Sequence, residues 1–226
     1  DGTNPEFIVY DASGNMLQAL DRNHNSLRLE SRGPVTLYFY GYSSLKKANL
    51  TFILSLRAVN ETVVKLYYDL LIPVQTLELL PSYSSEYANI LRVLDDAVNL
   101  LDLRIPGSPE FLASAARASA YLEAELYRKN RTDDHKVICI GHTHIDIAWL
   151  WTVAQTREKA QRSFATVIAL MKRYPEYKFM SSQAYLYKTV KEEAPELYAE
   201  IKKMIASGRW EVEGAMWVEA DNNLPT

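Results

Sequence analysis

The spacing of apolar positions changes twice along the chain. Residues 1 to about 75 carry short runs rich in Val, Ile, Thr, Tyr and Phe, at 7–10, 35–40, 50–56 and 63–68. Between them lie polar, Gly, Pro and Asn punctuators such as Asp11-Ala12-Ser13-Gly14-Asn15. Such runs predict strands, and so a β-rich, sandwich-like domain over 1–75. From Leu77 to Arg131 the period lengthens. Ile90, Leu91, Leu94, Val98 and Leu101 fall on one helical stripe, and the Ala-rich stretch 111–127 forms another, with Pro106 and Pro109 between them. A helical linker region over 76–134 follows from this pattern. It closes on the polar run Lys129-Asn130-Arg131-Thr132-Asp133-Asp134.

From residue 135 onward, strand and helix signals alternate. Val137-Ile138-Cys139-Ile140 is a continuous apolar run, as expected of a strand covered on both faces. Phe164, Val167, Ile168 and Met171 predict a helix, and Tyr177-Lys178-Phe179-Met180 the next strand. Leu197, Ile201, Met204 and Ile205 share a second helical face, which Gly208 ends; a third strand is expected over 210–215. The predicted fold class is therefore α/β with an all-β N-terminal part, its last portion (135–226) the start of a parallel sheet or barrel.

Composition narrows the functions available. The chain has 226 residues, 48% hydrophobic and 23% charged, which suits one or two ordinary globular domains. Its 25 Lys and Arg are scattered against 28 Asp and Glu, giving a net charge of −3, so no concentrated basic face calls for nucleic acid or an anionic membrane. No apolar run approaches the roughly 18 residues of a membrane span. One cysteine, Cys139, allows no intrachain disulfide; within its apolar run it reads as core packing in a reducing compartment. Asn-x-Thr triplets at Asn49, Asn60 and Asn130 would suit secretion instead. Opening on Asp1 without methionine and stopping at Thr226, the chain reads as a piece of a longer protein.

Candidate chemistry gathers at two predicted strand ends. Gly141-His142-Thr143-His144-Ile145-Asp146-Ile147-Ala148-Trp149-Leu150-Trp151 follows the first strand of the α/β part. Parallel α/β folds collect their ligands at the carboxyl edge of the sheet. In extended backbone His142, His144 and Asp146 share a parity, and two imidazoles with a carboxylate suit a borderline cation such as zinc. Equally, His-x-His can be a polar strand end and the tryptophans core residues. Near the end, Trp217-Val218-Glu219-Ala220-Asp221-Asn222-Asn223 places acids in a loop on the same edge. Asp221 there could be a metal ligand, a nucleophile, both, or a turn residue.

The His142-Thr143-His144-Ile145-Asp146 cluster with Trp149, followed by Trp217-Val218-Glu219-Ala220-Asp221, resembles glycoside hydrolase family 38, the α-mannosidases. The likeness is to the branch holding the cytosolic and vacuolar enzymes and their bacterial relatives. It covers about 136–226; residues 1–135 agree in organisation only. The resemblance implies a β-rich domain ahead of a seven-stranded β/α barrel. It also implies one zinc ion per active site, with His144 and Asp146 as ligands and Asp221 as both nucleophile and ligand. Trp149 would lie under the bound mannose, and His142 takes no ligand role. A further histidine ligand and the general acid are expected beyond Thr226. The implied activity is retaining removal of terminal α-linked mannose from oligosaccharides in the cytoplasm. Neither nucleic acid nor membrane is implied as a partner, and self-association stays open. Two rivals remain: another metal hydrolase of phosphoesterase or amidase type, and a non-catalytic carbohydrate-binding protein using residues 1–75.

Overall fold

The computed structural model describes residues 6–30, 33–42, 51–129, 137–214 and 216–219. Three N-terminal strands, β1 (Glu6–Tyr10), β2 (Met16–Leu20) and β3 (Tyr38–Tyr42), form an antiparallel sheet in the order β2-β1-β3. The β1–β2 turn is closed by Asp11, whose carboxylate accepts the backbone N–H of Ser13 and of Asn15, each at 2.9 Å. Gly14 supplies the left-handed residue of this turn at φ 83°. The strands expected over 7–10 and 35–40 are thus present, the second starting three residues later and ending two later. The strand expected over 50–56 is not: residues 51–60 have no regular structure, and Phe52, Ile53, Leu54 and Leu56 are exposed. Among the described residues no strand pairs with this segment, and apolar alternation alone does not make a strand.

A compact helical unit spans Phe52–Val137. It holds α1 (Glu61–Leu77), α2 (Ser85–Asn99) and α3 (Pro109–Leu122), and α3 runs on as a π-helical segment, Glu123–Arg128. Each helix starts on a side-chain cap: Asn60 accepts from the N–H of Thr62 and Val63, Ser84 from Tyr87, and Ser108 from Phe111. The core is Leu66, Val93, Leu94, Ala97, Ala115, Ala118, Leu122 and Leu126. The strand expected over 63–68 is a correction: those residues are helical, within α1. Leu66, Leu70, Pro73 and Leu77 make a stripe of helical period facing that core, and burying it outweighs the strand preference of Val63, Val64 and the tyrosines. Among the described residues no helix is long and apolar enough to cross a membrane.

The other unit joins residues 1–51 to 138–226. Its second stretch runs β4 (Gly141–His142), α4 (Val153–Arg173), β5 (Phe179–Met180), α5 (Ala184–Glu193), α6 (Pro195–Ala206) and β6 (Trp210–Glu211). The three strands are parallel, in the order β4-β5-β6. Alternation of strand and helix is as expected, and the described residues form an open sheet of three strands. Phe164, Met171, Phe179, Leu186, Val190, Ile201 and Trp210 fill the core, with Phe164 edge-on to Trp210 at 5.1 Å. The N-terminal sheet packs on α4, where Arg162 pairs with Glu6 and Tyr40 donates its hydroxyl to Glu158 at 3.1 Å. The expected strand over 137–140 needs correcting too. Strand pairing begins at Gly141, and Val137, Ile138, Cys139 and Ile140 are exposed rather than covered. β4 is the edge strand, so its outer flank has no neighbour among the described residues.

Candidate active site

The carboxyl end of β4 runs into Thr143-His144-Ile145-Asp146. Ile145 is anchored in the core, 1% exposed, which turns its two neighbours outward together. His144 Nε2 lies 3.0 Å from Asp146 Oδ1. Its other ring nitrogen, Nδ1, lies 2.9 Å from Glu219 Oε2. One imidazole is therefore flanked by two carboxylates, one from the loop after β4 and one from the segment after β6. His142, on β4 itself, is exposed.

Gln183, just beyond β5, ties these segments together. It is 4% exposed, and its amide donates to the Ile145 carbonyl at 2.8 Å and to Glu219 Oε2 at 3.3 Å. Its own oxygen accepts the Glu219 N–H at 3.2 Å. Alongside, Ala184 and Tyr185, the first residues of α5, donate their N–H groups to the carbonyls of Met216 and Trp217 at 3.3 and 2.9 Å. The unpaired donors of a helix start are thereby matched to the segment that delivers Glu219.

Beyond Asp146 the backbone turns sharply. Ala148 takes φ 64°, a left-handed conformation that costs a residue with a Cβ roughly 1–2 kcal/mol. Thr156, buried on α4, holds the turn by accepting from Ala148 N–H at 3.1 Å and from Trp151 Nε1 at 3.0 Å. Trp151 also donates to the Asp146 carbonyl at 3.1 Å. Trp149, 65% exposed, stands edge-on to Trp151 with ring centroids 5.6 Å apart.

Of the residues singled out in the sequence, His144 and Asp146 are in contact and Trp149 lies on the same loop; Asp221 lies outside the described residues. Among the described residues no group of three or more His, Cys, Asp or Glu side chains is arranged to hold a metal ion. Sequence reasoning named Glu219 only as an acid in that loop, and passed over Gln183 and Thr156. A polar residue at a strand end, just before a helix, was the available signal for Gln183.

Residues 134–226 match the glycosyl hydrolases family 38 N-terminal domain. The match covers this stretch of the chain. It contains both strand-end segments of the site, His144 and Glu219 included. The similar proteins point the same way. Alpha-mannosidase G of Dictyostelium discoideum is 45% identical over 97 residues, covering 43% of this chain and 9% of that protein. Alpha-mannosidase 2C1 of Homo sapiens is 36% identical over 137 residues, 60% of this chain and 12% of that protein. An alpha-mannosidase of Saccharomyces cerevisiae is 43% identical over 88 residues, 38% of this chain and 8% of that protein. The chain thus spans about a tenth of the length of these relatives.

Proposed function

We propose that this chain carries part of the active site of a retaining exo-α-mannosidase, which releases terminal α-linked mannose from oligosaccharides such as N-glycans. The observation that carries the reading is the meeting of His144, Asp146 and the Glu219 segment at one sheet edge, in a stretch whose relatives are named α-mannosidases. In this reading β4, β5 and β6 are the first strands of a seven-stranded barrel.

His144, Asp146 and Asp221 would hold one zinc ion. The donor set supports this: one imidazole nitrogen and carboxylate oxygens are zinc donors. The 3.0 Å between His144 Nε2 and Asp146 Oδ1 is near the roughly 3.3 Å edge of a tetrahedron with bonds of about 2.0–2.1 Å. A zinc ion held by these residues would supply Lewis-acid polarisation of the sugar's hydroxyl oxygens and so help to orient and distort the ring. Trp149 offers its exposed indole face to the apolar C–H face of the sugar.

Retention requires two carboxyl groups about 5–5.5 Å apart across the bond being cleaved. The Asp221 carboxylate attacks the anomeric carbon as the glycosidic C–O bond breaks, forming a covalent mannosyl-enzyme. A second carboxyl group, from outside these residues, gives its proton to the leaving oxygen. It then takes a proton from the water that displaces Asp221. The free thiol of Cys139 suits a reducing compartment, and a cytoplasmic location goes with the reading.

In the full-length protein, Asp221→Asn and Asp221→Ala are expected to abolish turnover of nitrophenyl mannoside; near-normal rates would refute the nucleophile. Chelator is expected to remove activity and added zinc to restore it. Turnover of nitrophenyl phosphate in preference to the mannoside would support a phosphoesterase instead.

A further inference from the structure

We propose that Glu219 is a positioning residue, whose carboxylate, 2.9 Å from His144 Nδ1, holds the ring proton on that nitrogen and so presents the bare Nε2 to the position shared with Asp146. The inference rests on the zinc reading above and goes beyond it, because it assigns a role to a residue outside the ligand set.

Three observations carry it. Glu219 Oε2 lies 2.9 Å from Nδ1, while Asp146 Oδ1 lies 3.0 Å from Nε2, so the two carboxylates meet opposite sides of one ring. An imidazole that binds a cation through one nitrogen keeps its proton on the other, and a carboxylate there fixes both the tautomer and the ring plane. Second, Glu219 is itself held. Gln183 donates to the same Oε2 at 3.3 Å and accepts the Glu219 backbone N–H at 3.2 Å, so side chain and main chain are fixed by one buried amide. Third, that amide also donates to the Ile145 carbonyl at 2.8 Å, the residue between His144 and Asp146. Gln183 therefore couples the backbone of the ligand pair to the carboxylate that orients it. A carboxylate that only filled a surface position would need none of this bracing.

The test uses the full-length protein and zinc alone as the probe, with affinity read by competition against a chromophoric chelator. Glu219→Ala is expected to weaken zinc binding by roughly 10–100-fold. Glu219→Gln keeps an oxygen that can accept from Nδ1 and is expected to fall between wild type and Ala. It is also the variant to rely on if the alanine protein misfolds, as judged by circular dichroism. With zinc made saturating, kcat and KM of the Gln variant should return towards wild type, because Glu219 does not touch substrate. Replacing zinc by cobalt should give a visible ligand-field spectrum altered in both variants.

His144→Ala separates this inference from the reading it rests on. If the wild type binds no stoichiometric zinc, or His144→Ala leaves zinc binding unchanged, the zinc reading fails and takes this inference with it. If His144→Ala loses zinc while both Glu219 variants bind it as tightly as wild type, the positioning role alone is overturned. A kcat that stays low at saturating zinc, with zinc affinity intact, overturns it as well, by making Glu219 a residue that acts on substrate.

Discussion

A Cβ built on Gly141 would sit 2.0 Å from the phenolic oxygen and 2.6 Å from Cζ of Tyr177, inside any non-bonded contact. Gly141 also donates its N–H to the Lys178 carbonyl at 2.8 Å, the bond that joins β4 to β5 just before the His144 loop. Gly141→Ala must move either the ring or the strand, at a cost of about 1–3 kcal/mol, read as an earlier urea unfolding midpoint. Tyr177→Ala made alongside removes the clash, so the pair should cost less than the sum of the single changes. Part of the site was legible at this scale. His144 and Asp146 could be placed together because they alternate about Ile145, and alternation is written in local sequence. Gln183 could not be read in this way. Its three bonds go to Ile145 and Glu219, far along the chain in both directions, and no periodicity encodes them.

Arg209 and Glu200 show how the elements around the sheet are fastened. One guanidinium nitrogen of Arg209 donates to the carbonyl of Met171 at 2.8 Å, in the last turn of α4, and to that of Tyr174 at 2.7 Å, which also accepts the Tyr177 N–H. Arg209→Met is expected to destabilise by roughly 2 kcal/mol. Arg209→Lys should recover only part of this, because an ammonium lacks the planar fork; thermal melts of the two variants give the order. Glu200, on α6, meets Lys203 on its own helix at 2.5 Å and Lys172 of α4 at 3.2 Å. Lys203, and then Lys172, hold its carboxyl below the ordinary value of 4.5. Since the folded value is lowered, the stabilisation is present above the ordinary value and is lost as pH falls through the folded one. Glu200→Gln should therefore lower the melting temperature near neutrality and converge with wild type in acid. For the elements, the helical stripes over 85–99 and 153–173 were plain in the sequence, since each buries one face against its own neighbours. Over 63–68 four β-prone residues hid the stripe Leu66, Leu70, Pro73 and Leu77, and the Asn60 cap was the sign that should have outweighed them.

The chain divides into two compact units, and their memberships differ in a way that spacing along a sequence does not record. The helical unit is one continuous stretch, Phe52–Val137, which takes in α1 besides the two helices that the periodicity predicts. The other unit joins the N-terminal sheet to α4 through pairs such as Glu6 with Arg162, far apart in the sequence. Each unit has its own buried cluster. Leu122, fully buried in α3, is the place to test the helical one. Leu122→Ala is expected to cost about 2–5 kcal/mol, seen as faster amide hydrogen exchange across α1, α2 and α3. Unchanged exchange there would mean that Leu122 is not central to that cluster.

The pairing of Ala184 and Tyr185 with the carbonyls of Met216 and Trp217 has a consequence in time. On a ribosome, α5 emerges well before those two carbonyls do. Until they arrive its opening turn lacks its acceptors and should fray, and with it the amide of Gln183 has no Glu219 to hold. The rim of the site therefore matures in a single late event, when the chain beyond β6 folds back and closes the start of a helix already made.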